Sequence, residues 1–315
     1  MAHGSLGRPS ERPKSTRDRG PRDRGPRDPD PGTKDPGTRD PWTRDPGTGS
    51  VVFVGTGFSL MVQATFEAVG QIEVADKLFH VVAEPAAAYW LKSLNPTAES
   101  LTQYYAEGKP RMRTYEEMVE RILSHVHRGE QVCVAFYGHP AVGVEPTQIV
   151  MRRARVEGFS ARILPGVSSE ACLYADLGID PMDHGIQAYE ASRFVAREPR
   201  IDTGTGLILW QPGFVGESSM NFSGRSNGPG VRRLVSVLRR YYPATHQVAA
   251  YEASAYPICP SWIVWTELRS LADAIRSTAT TVFIPPIVSS GKSVRARTRP
   301  SSPARVRRSS RPSRR

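Results

Sequence analysis

The feature of this sequence that most constrains its fold is an alternation of short apolar runs with amphipathic segments between residues 51 and 288. The run VVFVG at 51–55 is unbroken and ends in glycine, which is typical of a strand buried on both faces. Similar runs recur along the chain: VCVAFY (132–137), ARILP (161–165), LILW (207–210), HQVAAYEA (246–253) and TTVFI (280–284). Because helical segments separate these strands, the pattern predicts an α/β fold with mainly parallel sheets.

One of the predicted helices has a sequence signal at its N-terminus. Thr114 and Glu117 have the spacing of a capping box, which predicts a helix with Thr114 as its N-cap, ending near Gly129. Apolar residues recur at helical spacing on the face that would be buried, namely Met118, Ile122 and Val126.

Two further helices and a loop follow from the same kind of pattern. A basic helix is predicted over about 146–157, and another begins near Ser168 and ends at Gly178. The Gly/Ser/Asn-rich stretch 216–230 predicts a surface loop.

The two ends of the chain differ in composition from the body. Residues 1–50 contain a five-residue repeat (PGTKD, PGTRD, PWTRD, PGTGS), and residues 289–315 are rich in Ser, Arg and Pro. Neither stretch has the apolar residues needed to offset the entropy of ordering a chain. We therefore predict disordered arms at 1–50 and 289–315 around a folded body at 51–288.

The charge distribution argues against a specific nucleic-acid partner. The chain carries a net charge of +11, of which +3 lies in residues 1–50 and +10 in 289–315, leaving −2 for the body. A folded nucleic-acid reader concentrates positive charge on its own surface, and this body does not. The arginine-rich end would give at most nonspecific electrostatic contacts.

Cysteine usage and hydropathy predict a cytoplasmic protein without a membrane anchor. Cys133, Cys172 and Cys259 are odd in number and far apart, so neither a disulfide framework nor a metal site is indicated. The N-terminus shows no signal peptide, and no apolar stretch is long enough to span a bilayer.

Three predicted strand ends carry glycine. They are the segments GTG (55–57), FYGHP (136–140) and LPGVSS (164–169). Ligands of open α/β sheets bind beyond the carboxyl ends of strands, where glycine allows close approach to the backbone. Each turn alone is as well explained by strand-to-helix geometry, whereas three together predict a ligand site.

In order and spacing these motifs resemble the S-adenosylmethionine-dependent tetrapyrrole methylases, through VVFVGTGFS, FYGHP and ILPGVSSEACLYADLGI. The resemblance covers about 51–288. It implies two α/β subdomains, about 51–165 and 166–288, with S-adenosylmethionine held in the cleft between them. The sequence departs from the family where Phe58 and Ser59 replace a Pro-Gly pair and where His139 replaces an aspartate.

A second set of residues resembles one branch, the borosin-type peptide backbone α-N-methyltransferases. The segment YYAEGKPRMRTY (104–115) is similar to their Arg-Met-x-Thr-Tyr core with its upstream tyrosine, and FYGHP contains their Tyr-Gly-His-Pro. ADLGIDP (175–181) and the Trp210-Gln211 pair match as well. The resemblance implies a homodimer that methylates backbone amides of a ribosomally made peptide.

The resemblance also implies site residues. Those of the catalytic step are Arg111, Tyr115, Tyr105 and Tyr137. Those that bind the methyl donor are Gly55, Gly57, Tyr137, His139, Val142, Ser168, Ser169 and Gln211. An amide nitrogen is a poor nucleophile, because its lone pair is delocalised into the carbonyl group. A tyrosine beside a fixed guanidinium is a plausible base, because the cation favours phenolate, and the arginine can stabilise charge developing on the amide oxygen.

Simpler structural interpretations exist for the same residues. Taken singly, Tyr115 is as well explained as a cover of the core, Ser168 and Ser169 as helix caps, and His139 as a loop residue bonded to backbone. The co-occurrence of these residues in family order favours the functional interpretation.

Three hypotheses for the function remain open at this point. Residues 289–315 contain no apolar peptide, so the first is a methyltransferase acting in trans on a separate precursor. The second is methylation of a tetrapyrrole or another small molecule on the same scaffold. The third is a non-catalytic module that binds S-adenosylmethionine.

Overall fold

The computed structural model describes residues 48–59, 61–82, 84–220 and 226–288. The predicted arms lie outside these residues except for 48–50, of which Ser50 already begins the first strand.

Among the described residues, the first half of the chain forms a five-stranded sheet in the order β3-β2-β4-β1-β5. Its strands are β1 (Ser50–Gly55), β2 (Lys77–Val81), β3 (Glu99–Ser100), β4 (Gln131–Phe136) and β5 (Ser160–Ile163). Every pairing is parallel, as the sequence predicted. Val51, Phe53 and Val54 are almost fully buried, because helices cover both faces of a parallel sheet.

The helices of this half are α1 (Phe66–Val74), α2 (Pro85–Leu94), α3 (Arg111–Val126) and α4 (Glu145–Val156). Met118, Ile122 and Val126 are fully buried, which confirms the predicted apolar face of α3. The basic helix predicted over 146–157 corresponds to α4.

The predicted capping box is wrong. Helix α3 begins at Arg111, directly after Pro110, and the N–H group of Thr114 donates to the carbonyl oxygen of Pro110 at 3.4 Å. Thr114 therefore lies inside the first turn, fully buried, and its hydroxyl donates to the carbonyl oxygen of Tyr104 at 3.3 Å. Glu117 forms an ion pair with Lys109 instead of capping the helix.

The second half forms another five-stranded sheet among the described residues, in the order β6-β7-β10-β8-β9. Its strands are β6 (Ile186–Glu190), β7 (Gly206–Trp210), β8 (Gln247–Glu252), β9 (Trp262–Glu267) and β10 (Thr281–Ile284). Only β6 and β7 pair in parallel, so the prediction of mainly parallel sheets is wrong here. The reason is that β10 inserts between β7 and β8 and runs antiparallel to both.

The helices of this half are α5 (Ser169–Leu177), α6 (Pro181–His184), α7 (Ala191–Arg197), α8 (Gly228–Leu238) and α9 (Leu271–Ala274). Helix α5 starts after the N-cap Ser168 and ends at Gly178, which has φ 65°, as predicted. The loop predicted over 216–230 ends early, because Asn227 caps α8 and a proline occupies the first helical turn. Residues 221–225 lie outside the described part.

Four clusters of buried apolar residues line the sheets and the helices packed on them. No helix within the described residues is long and apolar enough to cross a membrane.

Candidate active site

The three glycine-bearing strand ends meet at one point. A Cβ atom on Gly55 would stand 2.3 Å from the carbonyl oxygen of Gly138 and 3.0 Å from the Cα atom of Gly166. Gly57, with φ 73°, and Gly138, with φ 68°, form an antiparallel bridge. Only glycine fits this crossing, so the prediction that the three motifs converge is confirmed by the backbone.

Two adjoining cavities open at this convergence. The first, which we name the phenol cavity, has a volume of about 240 Å³ and the second, the apolar cavity, about 280 Å³. Phe58, Tyr137 and Ala279 line both. The rings of Phe58 and Tyr137 meet edge to face at 5.6 Å, so this pair forms part of the wall between the cavities.

Most of the predicted site residues line the phenol cavity: Tyr105, Arg111, Tyr115, Tyr137, His139, Val142, Ser168, Ser169 and Gln211. Gly57 lines the apolar cavity instead. Gly55 lines neither cavity, because its backbone packs against Gly138 and Gly166 where the three strand ends meet.

Arg111 and Tyr115 stand one helical turn apart at the start of α3, so their side chains share a face. Tyr105 follows a 3₁₀ turn (Leu101–Tyr104), and its hydroxyl influences that of Tyr115, because the interaction raises the pKa of Tyr105 and lowers that of Tyr115. Arg111 Nη2 donates to the carbonyl oxygen of Glu217 at 2.9 Å. Two phenols and a guanidinium are therefore gathered at one side of the cavity.

Opposing influences act on the pKa of Tyr115. Burial raises this pKa, the positive charge of Arg111 lowers it, the charge of Glu145 raises it and the Tyr105 hydroxyl lowers it. The net direction is upward, so the resting side chain is a neutral phenol at neutral pH. The influence of Arg111 has the predicted sign, but desolvation outweighs it.

The other two phenols behave alike. Burial raises the pKa of Tyr105, and the charges of Tyr115 and Tyr137 add to the increase. Tyr137 lines both cavities and is 45% exposed to them, yet the protein atoms around its hydroxyl displace water and raise its pKa. All three tyrosines thus enter the site as hydrogen-bond donors.

His139 is oriented by its own loop. Its Nδ1 atom accepts a hydrogen bond from the backbone N–H group of Ala141 at 3.0 Å. In a neutral imidazole this leaves the hydrogen on Nε2, which can donate to a ligand. Val142 follows in the same loop and is 38% exposed.

The far side of the cavity is formed by α5 and the end of β7. Ser168 and Ser169 stand at the N-terminus of α5, where the helix dipole favours a carboxylate. Gln211 has φ 55°, a left-handed conformation that is uncommon for a residue with a side chain and that recurs at functional sites.

The structure adds lining residues that the sequence analysis had not assigned: Phe58, Glu190, Trp210, Phe214, Met220 and Thr281. The indole N–H group of Trp210 is buried and has no hydrogen-bond partner within the described structure. The position of Trp210 beside Gln211 at a predicted strand end could have indicated from the sequence that it lines the site. No sequence signal marked Glu190 or Phe214. Glu190 ends strand β6, and the Phe214 ring centroid lies 4.6 Å from the guanidinium carbon of Arg111, and both placements depend on the tertiary fold.

Among the described residues no three His, Cys, Asp or Glu side chains gather as a metal site requires.

Comparisons with known proteins identify a family and a fold. Residues 50–257 match the family described as tetrapyrrole (corrin/porphyrin) methylases. Two solved structures share the fold: uroporphyrin-III C-methyltransferase from Thermus thermophilus and the cobalt precorrin-4 methyltransferase CbiF. The first has a TM-score of 0.54 and 18% identity, covering 76% of this chain and 92% of that one. The second has a TM-score of 0.55 and 16% identity, covering 78% and 98%.

Several relatives are more similar in sequence, and each is named a methyltransferase/ribosomally synthesized cyclic peptide precursor. The gymnopeptides precursor of Gymnopus fusipes is 40% identical over 76% of this chain and 57% of its own length. The dendrothelin A precursor of Dendrothele bispora is 44% identical over 66% and 50%. The omphalotin A precursor of Omphalotus olearius is 39% identical over 76% and 58%. The chain thus spans about half the length of these relatives.

Proposed function

This chain belongs to the tetrapyrrole (corrin/porphyrin) methylase family, and we propose that it is an S-adenosylmethionine-dependent methyltransferase acting on backbone amides of a peptide. The observation that carries the proposal is the meeting of Arg111, Tyr115 and Tyr105 with His139 and Gln211 in one cavity. The names of the relatives support the same substrate class, since each couples a methyltransferase to a peptide precursor.

The residues present fit S-adenosylmethionine. The unpaired indole N–H of Trp210 offers a donor to an acceptor atom, and His139 Nε2 offers another. Aromatic faces line the cavity, as a sulfonium cation requires. We propose that Tyr137, His139, Val142, Ser168, Ser169 and Gln211 hold this donor, with Gly55 and Gly57 shaping the turn beside it.

The chemistry then divides between donor and protein. When bound, S-adenosylmethionine supplies an electrophilic methyl group on a positively charged sulfur. The amide nitrogen must lose its proton as its bond to carbon forms, and we assign the role of proton acceptor to the Tyr115 oxygen. Because Tyr115 rests as a neutral phenol, it must first release its own proton to solvent water. The Tyr105 hydroxyl and the charge of Arg111 both lower the pKa of Tyr115 and so favour that release. We assign to Arg111 the stabilisation of the negative charge that develops on the amide oxygen.

We propose that the chain methylates a peptide supplied in trans by a separate precursor, which turnover on an added peptide would test. We also propose a homodimer. Helices α1 and α2 pack together and carry Phe66, 97% exposed, and Tyr89, 79% exposed. A second copy of the chain would cover such apolar side chains, and light scattering would measure the mass of the assembly.

The test combines donor binding with product mapping. Calorimetry should show S-adenosylmethionine binding to the purified chain, and donor should raise its melting temperature. Incubation with peptides from the part of the omphalotin A precursor that this chain does not match should add methyl groups, which fragment mass spectrometry would place on backbone nitrogens.

Other outcomes would redirect the proposal. Methylation of uroporphyrinogen III, or of a side chain, would indicate a small-molecule or side-chain enzyme. Donor binding without turnover on any substrate would indicate a binding module. Absence of donor binding would overturn the proposal as a whole.

A further inference from the structure

A segment from the second half of the chain lies along the start of α3. The N–H group of Gly108 donates to the carbonyl oxygen of Met220 at 2.9 Å, and the N–H group of Met220 donates to that of Lys109 at 3.0 Å. The N–H group of Arg111 donates to the carbonyl oxygen of Ser218 at 3.1 Å. We name residues 214–220 the arginine clamp, because its contacts converge on Arg111.

The clamp also contacts the Arg111 side chain at two points. Nη2 donates to the carbonyl oxygen of Glu217 at 2.9 Å, and the guanidinium carbon lies 4.6 Å from the centroid of the Phe214 ring. A hydrogen bond fixes one edge of the guanidinium, and an aromatic ring fixes one face. Together these contacts restrict both the direction and the tilt of the group.

Phe214 is itself held firmly. It is 8% exposed, its N–H group donates to the carbonyl oxygen of Gln211 at 3.0 Å, and its carbonyl oxygen accepts from the hydroxyl of Ser192 at 3.3 Å. Farther along, the Glu217 carboxylate accepts from the N–H group of Ser219 at 3.0 Å and from its hydroxyl at 2.6 Å. These hydrogen bonds hold the clamp together as a turn.

We propose that Phe214 is a positioning residue, which together with the carbonyl group of Glu217 holds the Arg111 guanidinium toward Tyr115. The proposal rests on the function proposed above, since it assigns a task to Arg111. An arginine side chain has many rotamers. If the clamp selects one of them, the guanidinium does not have to change its position during the catalytic step. Phe214 follows Gln211 by three residues, so the proposed donor site and the clamp share one short turn.

The experiment compares three variants of the full chain. Phe214→Leu keeps apolar bulk but removes the aromatic face, and Phe214→Tyr restores that face. Phe194→Leu is the matched control, because Phe194 is fully buried in the same half and does not line the phenol cavity. Each variant must first show cooperative melting and donor affinity close to those of the wild type.

Turnover is the first readout. We expect Phe214→Leu to lower kcat by about 2-fold to 30-fold, the range of one cation–π contact, with little change in peptide KM. Phe214→Tyr should recover most of the loss, and Phe194→Leu should show none of it. An equal loss in Phe194→Leu would overturn the proposal, because general packing would then explain the effect.

The second readout is independent of activity. Nitrogen-15 NMR of the arginine side chains, with the Arg111 signals assigned from Arg111→Lys, reports how restricted the guanidinium is. We expect ordered Arg111 signals in the wild type and in Phe214→Tyr, and averaged signals in Phe214→Leu. Unchanged ordering in Phe214→Leu would overturn the positioning role even if the enzyme were active. If the wild type methylates no peptide, the proposed function fails. The NMR signals would still show whether Phe214 restricts the Arg111 side chain.

Discussion

At the scale of single residues, Tyr115, the base that we propose, rests in its neutral form. Burial raises its pKa, and Arg111 and the Tyr105 hydroxyl lower it by smaller amounts. A base must be deprotonated to accept a proton, so activity should follow the small fraction of phenolate. That fraction grows with pH until the pKa is reached.

This gives a pH prediction with a definite sign. The turnover number should rise between about pH 7 and pH 9, close to tenfold per unit, because the raised pKa lies above this window. Arg111→Ala removes a charge that lowers the pKa, so its profile should shift to higher pH. Steady-state kinetics with saturating donor would measure both profiles. A wild-type rate independent of pH would contradict Tyr115 as the base.

The corresponding substitution is Tyr115→Phe, which keeps the ring and removes the oxygen. Turnover should fall by about 10²–10⁴-fold, the usual contribution of a general base, and the remaining rate should lose its pH dependence. Donor affinity, measured by calorimetry, should change little. Full activity would show that Tyr115 only covers the core.

At the scale of elements, side-chain hydrogen bonds connect helices and turns of the first half, and helix propensity does not predict them. Asn95 ends α2 and is 4% exposed. Its amide group donates to the carbonyl oxygens of Ile72 and Ala75, both at 2.8 Å, and its oxygen accepts from the N–H group of Thr97 at 3.0 Å. One side chain therefore ties the end of α1 to the turn that leads into β3.

Asn95→Ala should destabilise the protein by about 2–4 kcal/mol, because buried carbonyl groups would lose their donors. Ser93→Ala is the matched control, since Ser93 lies two residues earlier on the exposed surface, and its effect should stay within about 0.5 kcal/mol. Urea unfolding followed by circular dichroism would measure both. Equal stability of the two variants would mean that water replaces the lost contacts.

At the scale of the whole molecule, the folded body draws its apolar cores from residues between Val51 and Ile284. Strand β10 is central to the second sheet, because it pairs with β7 on one side and β8 on the other. All residues of β10 are buried, so the last strand of the folded body contributes directly to its apolar core.

A chain shortened by residues 1–46 and 289–315 should therefore melt cooperatively and still bind donor. Neither removed stretch has the apolar residues to build a core. Removal of 281–315 should abolish the cooperative transition, because it deletes β10 and unpairs β7 from β8. Differential scanning calorimetry would compare the two, and loss of the transition in the first chain would show that an arm belongs to the fold.

The sequence by itself determined the features that depend on neighbours along the chain. The apolar runs predicted β1, β4, β5, β7, β8 and β10, and Ser168 and Gly178 marked the ends of α5, because periodicity and capping act over a few residues. The three glycine turns pointed to the cavity for the same reason. Nine of the predicted site residues line the phenol cavity, most of them named by family resemblance and not by physical necessity.

Tertiary structure alone decided what depends on distant partners. The insertion of β10 between β7 and β8 makes the second sheet mainly antiparallel, and no local pattern encodes that order. Pro110 and the packing of Thr114 moved the start of α3 ahead of the capping box. The Arg111 side chain meets the carbonyl group of Glu217, 106 positions away. The raised pKa of Tyr115 belongs with these, because desolvation depends on which residues exclude water once the chain has folded.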